Sequence, residues 1–199
     1  MTGRPPLRKA AAGTIIAVLA VLVLAADQFT KYLALQNLPF ETPVPVLGDF
    51  LIFYLVRNAG AAFSLGEGVT WIFTIALAAV SVLIVWLAAT RIRSRLWAVA
   101  LGLLLGGVLG NLIDRLFREP GFAVGHVVDF INTPWMMPAI YNVADIFIVS
   151  MMIGVALLVL IGLRFDGTRE RKAQDDSDLS PQGEQTAAAD DAPGAAAKD

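Results

Sequence analysis

Residues 96–115 read LWAVALGLLLGGVLGNLIDR, an apolar run that finishes in an amide, an acid and a base. A helix of about 20 such residues crosses a hydrocarbon core of about 30 Å, so the run is expected to span a membrane. Gly106 and Gly110 stand at the small-xxx-small spacing that lets another helix approach closely, which makes this run a packing element among other helices. Asn111, Asp114 and Arg115 fall at i, i+3 and i+4 and therefore share one polar face at its end. That face is accounted for by an interfacial helix end with Asp114 paired to a nearby Arg. It is equally suited to supporting a site, and the two uses are compatible.

Outward from this run lie three more of the same kind, at residues 10–26, 69–89 and 146–163. The composition agrees: 57% of the 199 residues are hydrophobic and 16% charged, against roughly 25% charged in a soluble domain, and the mean hydropathy is +0.68. The expected fold is a membrane protein, mainly α, with four transmembrane helices and a small extracytoplasmic β element. The first run ends in Leu24-Ala25-Ala26 after Arg4, Arg8 and Lys9, as a secretory signal could. It exceeds the roughly 7–15 apolar residues usual for a signal core, which favours a span.

The formal net charge of −2 conceals a polarised distribution. Basic residues flank the apolar blocks: Arg4, Arg8 and Lys9 before the first, Arg91, Arg93 and Arg95 between the second and third, Arg164, Arg169, Arg171 and Lys172 after the fourth. Positive flanks face the cytoplasm, so both termini are expected inside and the connections 35–68 and 117–144 outside. Residues 1–9 read as a basic cytoplasmic arm, 10–172 as a four-helix membrane domain, and 173–199 as an acidic, Ala-rich tail too poor in large apolar residues to fold. Nothing here suits nucleic acid.

Two acids stand out against apolar sequence, Asp129 in Gly125-His126-Val127-Val128-Asp129-Phe130 and Asp145 in Tyr141-Asn142-Val143-Ala144-Asp145-Ile146. An acidic side chain at membrane depth costs at least about 2.5 kcal/mol, so each needs a reason. Residues 49–56, aromatic and β-branched between Gly48 and Asn58-Ala59-Gly60, read as a strand on the membrane surface. Residues 127–131 read as a second, paired with the first and carrying Asp129 at its edge. Asp145 is placed at the outer start of the fourth helix, with Asn142 one turn earlier on the same face.

Other polar residues have plainer explanations. Asp27 and Lys31 lie one turn apart just past the first apolar run, where an exposed ion pair is worth about 0.3–0.5 kcal/mol. Arg57-Asn58-Ala59-Gly60-Ala61-Ala62-Phe63-Ser64 serves as a turn, although its small residues also let an extended peptide reach the backbone. His126 alone is more often a turn histidine than a catalyst. With no cysteine in the chain and one histidine, thiol and iron–sulfur chemistry are excluded and a metal site is not expected.

Five motifs in this order resemble the bacterial lipoprotein signal peptidase family, also called signal peptidase II. They are Asp27-x-x-Thr30-Lys31, Arg57-Asn58-x-Gly60-Ala61-Ala62-Phe63-Ser64, Gly106-Gly107-x-x-Gly110-Asn111-x-x-Asp114-Arg115, Gly125-His126-Val127-Val128-Asp129-Phe130-Ile131 and Asn142-x-Ala144-Asp145. The resemblance spans about residues 13–163. It implies an intramembrane aspartyl endopeptidase that removes signal peptides from diacylglyceryl-modified prolipoproteins, cutting before the lipidated cysteine in the cytoplasmic (inner or plasma) membrane, with no cofactor and no metal. Asp129 and Asp145 match the catalytic pair. Asn58, Asn111, Arg115 and Asn142 match residues holding substrate or the catalytic carboxylates, and Asp27 and Asp114, with Lys31 and Gly60 in the same motifs, match site support. Lipidated prolipoproteins and membrane lipid are the implied partners, and a monomer is the default. Departures from the family pattern are Tyr141 where Phe is common, the segment 118–123 and the acidic tail.

Chemically, paired carboxylates let water hydrolyse a peptide without metal or thiol: one takes a proton from water while the other, protonated, donates to the carbonyl oxygen. Which acid takes which part is left open by the sequence. A small carrier using Asp27, Asp114 and Asp145 as a proton relay is disfavoured, because these residues gather toward one face and no inverted repeat appears. A noncatalytic lipid-binding scaffold is opposed by the joint presence of both acids and their Asn and Arg neighbours. His-Glu-x-x-His and Gly-x-Ser-Gly motifs are absent.

Overall fold

The computed structural model describes residues 7–60 and 69–169. Most of the basic arm, the Ala61-Ala62-Phe63-Ser64 end of the second motif and the tail 173–199 lie outside the described residues. Four long helices, α1 (Lys9–Asn37), α2 (Thr70–Thr90), α3 (Arg95–Phe117) and α4 (Val143–Leu160), are each apolar and long enough to cross a membrane. Between them run four strands, β1 (Val44–Leu47), β2 (Leu51–Asn58), β3 (Val127–Thr133) and β4 (Met137–Tyr141). Large apolar side chains such as Val21, Val82, Met152 and Leu160 are exposed around the helices. A belt of that kind is stable only against lipid. This is a multi-pass membrane protein.

The run quoted at the outset becomes α3, the buried centre of the bundle, against which the other three helices pack. Glycine makes that position possible. A Cβ on Gly106 would stand 2.6 Å from Val23 Cβ of α1, and one on Gly107 would stand 2.7 Å from Ala144 O of α4. Backbones this close exclude any side chain at either position. Toward the far end, Ala12, Ile16, Ala20, Trp97, Leu101 and Leu105 close the α1–α3 core.

The strands form one antiparallel sheet in the order β1-β2-β3-β4. β2 and β3 were expected; β1 and β4 were not. Each outer strand contains a proline, Pro45 or Pro138, which depresses a strand reading and is tolerated at a sheet edge. β3 pairs on both sides, and Asp129 is its third residue, opposite Val56. The pairing with β4 runs from Ile131 to Thr133, so at Asp129 the strand is paired with β2 alone and its other side is open. The period of two then sorts the faces: Leu55, Val128 and Phe130 pack on Ala34 at the end of α1, and Asn58, Val127 and Asp129 turn the other way.

Helix boundaries also differ from the hydropathy reading, most at the end of α1 and the start of α4. α1 continues past residue 26 to Asn37, because Asp27 and Lys31 are satisfied by other helices rather than by water. α4 starts at Val143 rather than 146, with Asn142 as its cap.

Candidate active site

Asn142 ends β4's exit and caps α4. Its side chain accepts from the Asp145 N–H at 3.0 Å, and the Asp145 carboxylate accepts from the Asn142 N–H at 3.1 Å. This reciprocal capping box fixes Asp145 in the first turn of α4. Asn142 is therefore outside the helix and not one turn earlier on its face. Its amide reaches across to the sheet instead, donating to Asp129 Oδ1 at 2.6 Å and to Asn111 Oδ1 at 3.1 Å.

Each acid is held at both oxygens. Asp129 Oδ2 accepts from Asn58 Nδ2 at 2.9 Å, and Asn58 is steadied by the Gly60 N–H on its own oxygen at 3.0 Å. Asp145 Oδ1 accepts from Asn111 Nδ2 at 2.7 Å. Asp129 is 2% exposed, whereas Asp145 is half-buried. Burial pushes the Asp129 carboxyl up to about 7, the nearby Asp145 charge adds to the rise, and the Asn58 and Asn142 hydrogen bonds oppose it. Both acids line a cavity of about 340 Å³, with Asn58, Gly60, Asn111 and Arg115 among its polar walls. Phe73 and Leu77 of α2 and Ile148 and Val149 of α4 give it apolar walls.

Behind the acids lies a buried charge network. Lys31 Nζ sits 2.9 Å from Asp27 Oδ2, 2.8 Å from Asp114 Oδ2 and 3.0 Å from Asn111 Oδ1, with Lys31, Asp27 and Asp114 fully buried. The exposed ion pair expected of Asp27 and Lys31 is thus part of the interior. Asp114 also takes Arg118 Nε at 2.6 Å, as the plain reading of a nearby Arg had it. Gln28, unremarked in the sequence, bridges Asp27, Asp114 and the Gly110 carbonyl at 3.1 Å each. Nothing in the local pattern marks it, since its three partners lie on its own helix and on α3. Arg118 could have been found as i+4 from Asp114.

Arg115 makes no ion pair with either acid. It donates to the carbonyls of Ala59 at 3.2 Å, Gly125 at 3.4 Å and Gly60, and its guanidinium lies over Phe73 at 5.5 Å. It fastens the ends of β2 and the approach to β3 to the bundle. His126 stands apart, in a small cavity with Arg57 and Glu119 on the opposite side of the sheet. Among the described residues no cluster of His, Cys, Asp and Glu is arranged to hold a metal ion.

A multi-pass bundle with amide-linked aspartates opening on a cavity has the features of a membrane-embedded aspartic peptidase. The model of the signal peptidase (SPase) II family, Peptidase_A8, matches residues 19–164. The chain is 49% identical over 187 residues to the lipoprotein signal peptidase of Leifsonia xyli subsp. xyli, covering 92% of this chain and 86% of that one. It is 44% identical over 174 residues to that of Mycobacterium avium, covering 87% and 92%. A solved structure described as a bacterial membrane enzyme superposes with a TM-score of 0.69 at 26% identity, over 86% of this chain and all of that one. The chain belongs to the signal peptidase II family, the aspartic peptidases that mature lipoproteins.

Proposed function

We propose that Asp129 and Asp145 are the catalytic pair with which this enzyme removes signal peptides from prolipoproteins, cutting before a diacylglyceryl-modified cysteine. The observation that carries the assignment is the single Asn142 side chain hydrogen-bonded to Asp129 and to the backbone of Asp145, at the wall of a cavity both acids line. Two carboxylates joined through Asn142 at one cavity, Asp129 buried and Asp145 half-buried, do not ionise together, so the pair holds one proton. The ionised member takes a proton from water as its oxygen bonds to the scissile carbonyl carbon, and the protonated member donates to the carbonyl oxygen. The proton taken from water then passes to the departing amine as the C–N bond breaks and the carbonyl re-forms, one hydroxyl proton returning to the acid that had donated it. Asn58 and Asn111 are neutral donors suited to a developing oxyanion or substrate backbone, and Gly60 leaves room for an extended peptide.

The apolar wall between α2 and α4 suits a hydrophobic signal segment with an acyl-bearing residue beside it. Basic residues gather at one end of the bundle, Arg91, Arg93, Arg95 and Arg164, and the acids at the other. That asymmetry supports both termini in the cytoplasm and the site at the outer face of the bacterial cytoplasmic membrane. A single chain supplies every group in this scheme, consistent with a monomer of domain 10–172 flanked by arm and tail. The test is turnover of a diacylglyceryl-modified precursor in lipid vesicles by the wild type and by Asp129→Asn and Asp145→Asn.

A further inference from the structure

We propose that Lys31 is the positioning residue of the pair: its one ammonium fixes the spacing of Asp129 and Asp145 and the donor–acceptor polarity of the amides between them. The inference rests on the reading of those two acids as catalytic. An ammonium has three N–H bonds and no acceptor, and here all three are taken, by Asp27, Asp114 and Asn111. Lys31 therefore has nothing left for substrate, and its action is on its partners.

The spacing follows from what else the two carboxylates hold, Asp27 through its second oxygen and Asp114 through the oxygen that Lys31 also meets. Asp27 Oδ1 accepts from the Ala144 N–H at 3.0 Å, and Asp114 Oδ2 accepts from the Val128 N–H at 3.2 Å. Ala144 immediately precedes Asp145, and Val128 immediately precedes Asp129. The two carboxylates gripped by Lys31 thus each hold the backbone one residue before a catalytic acid, one on α4 and one on β3. Gln28 Nε2 also meets both carboxylates, at 3.1 Å each, but Lys31 is the one that brings a charge to both.

The polarity follows from the amides. Because Lys31 can only donate, the atom of Asn111 that faces it must be the oxygen, which turns Asn111 Nδ2 toward Asp145. That same oxygen must meet a donor from Asn142, so Asn142 presents Nδ2 to Asn111 and Asp129 and its oxygen to the Asp145 N–H. Lys31 and Asn142 thus converge as donors on Asn111 Oδ1, and the two amides, oriented by that shared acceptor, each give an N–H to one acid, Asn111 to Asp145 and Asn142 to Asp129. Reversing either amide would set a carbonyl oxygen against a carboxylate oxygen.

The charges around this ammonium are Asp27 from α1, Asp114 and Arg115 from α3 with Arg118 on Asp114, Asp129 from β3 and Asp145 from α4; α2 carries no charged residue. Removing Lys31 alone would leave its two acids with one cation, so the variant to make is Lys31→Met with Asp27→Asn, which leaves the Asp114–Arg118 pair intact. We expect kcat for a diacylglyceryl-modified precursor peptide, with the full chain in lipid vesicles, to fall by about 10–100-fold with KM little changed. The pH dependence of kcat should also move to higher pH, since a positive charge that favours the ionised Asp129 has gone. Asn111→Asp is the companion, keeping an acceptor for Lys31 while losing the donor to Asp145. Its turnover should be low at neutral pH and partly restored as pH falls and the introduced carboxyl regains a proton to donate. If both variants lose activity by the same factor at every pH, Lys31 is a structural ion only and the proposal fails. Turnover by Asp129→Asn or Asp145→Asn would instead remove the reading of the pair itself.

Discussion

Asn142 Nδ2 donates to Asp129 Oδ1 at 2.6 Å while Asn142 Oδ1 accepts from the Asp145 N–H at 3.0 Å, so one amide joins a strand acid to a helix acid. The same side chain caps α4 and sets the strand acid against the helix acid. Asn142→Asp separates these duties, because Asp caps a helix as well as Asn but offers no N–H to Asp129. We expect helix content to be kept, the thermal midpoint to fall because a buried oxygen now faces Asp129 Oδ1 and Asn111 Oδ1, and kcat to be reduced by about 100-fold or more, the scale of a lost site hydrogen bond. A variant as active as the wild type would show that the amide only caps.

The raised Asp129 carboxyl sets a pH dependence. Turnover needs one proton on the pair, and Asp129, held up to about 7 by burial and then by the Asp145 charge, gives it up as pH passes that value. The rate should therefore fall as pH rises through about 7. Stability has a definite sign as well. Between the ordinary Asp value of 3.8 and about 7 the folded chain binds this proton and the unfolded chain does not, so the Asp129 contribution to stability declines across that window as pH rises. A kcat profile with no basic limb below about pH 9 would contradict the assignment.

Close packing of α3 gives a graded set of substitutions. On Gly110 a Cβ would meet Asp27 Oδ2 at 2.5 Å and Ala144 Cβ at 3.2 Å, and on Gly106 it would meet Val23 Cβ at 2.6 Å, whereas Gly154 has nothing within 4 Å. Gly106→Ala and Gly110→Ala should each cost about 1–3 kcal/mol from overpacking, with Gly110→Ala also losing activity because Asp27 is displaced. Gly154→Ala should be neutral or slightly stabilising. Thermal unfolding in detergent ranks the three.

Arg115→Lys removes a planar fork that holds carbonyls on both sides of the cavity, those of Ala59 and Gly60 and that of Gly125. A lysine keeps the charge but cannot span them. Helix content should persist, cleavage next to residue 60 by an added protease should speed up, and turnover should fall. Unchanged proteolysis would mean the guanidinium is not the fastener.

The helices were legible because hydropathy over 18 or more residues is a strong signal, and the Gly106 and Gly110 spacing already pointed to close packing. The sheet was half legible: β2 and β3 have aromatic and β-branched alternation, while Pro45 and Pro138 masked the edges. Asp27 and Lys31 misled for a physical reason. Read along one helix they are an exposed i,i+4 pair, and only α3 and α4 supply the partners that bury them. Arg115 is open in the sequence to a carbonyl or a carboxylate, and the fold gives it carbonyls. Spacing within an element reads from sequence, and partners across elements do not.

Asp129 and Asp145 are proposed to share the work of hydrolysis. That sharing is tested most directly by the single-turnover rate of signal-peptide release from a diacylglyceryl-modified prolipoprotein, measured in vesicles for the wild type, Asp129→Asn and Asp145→Asn. Both variants are expected to insert and fold, and each to be slower by at least about 100–10,000-fold, the contribution of a positioned acid or base. Near-normal release by either variant would contradict it.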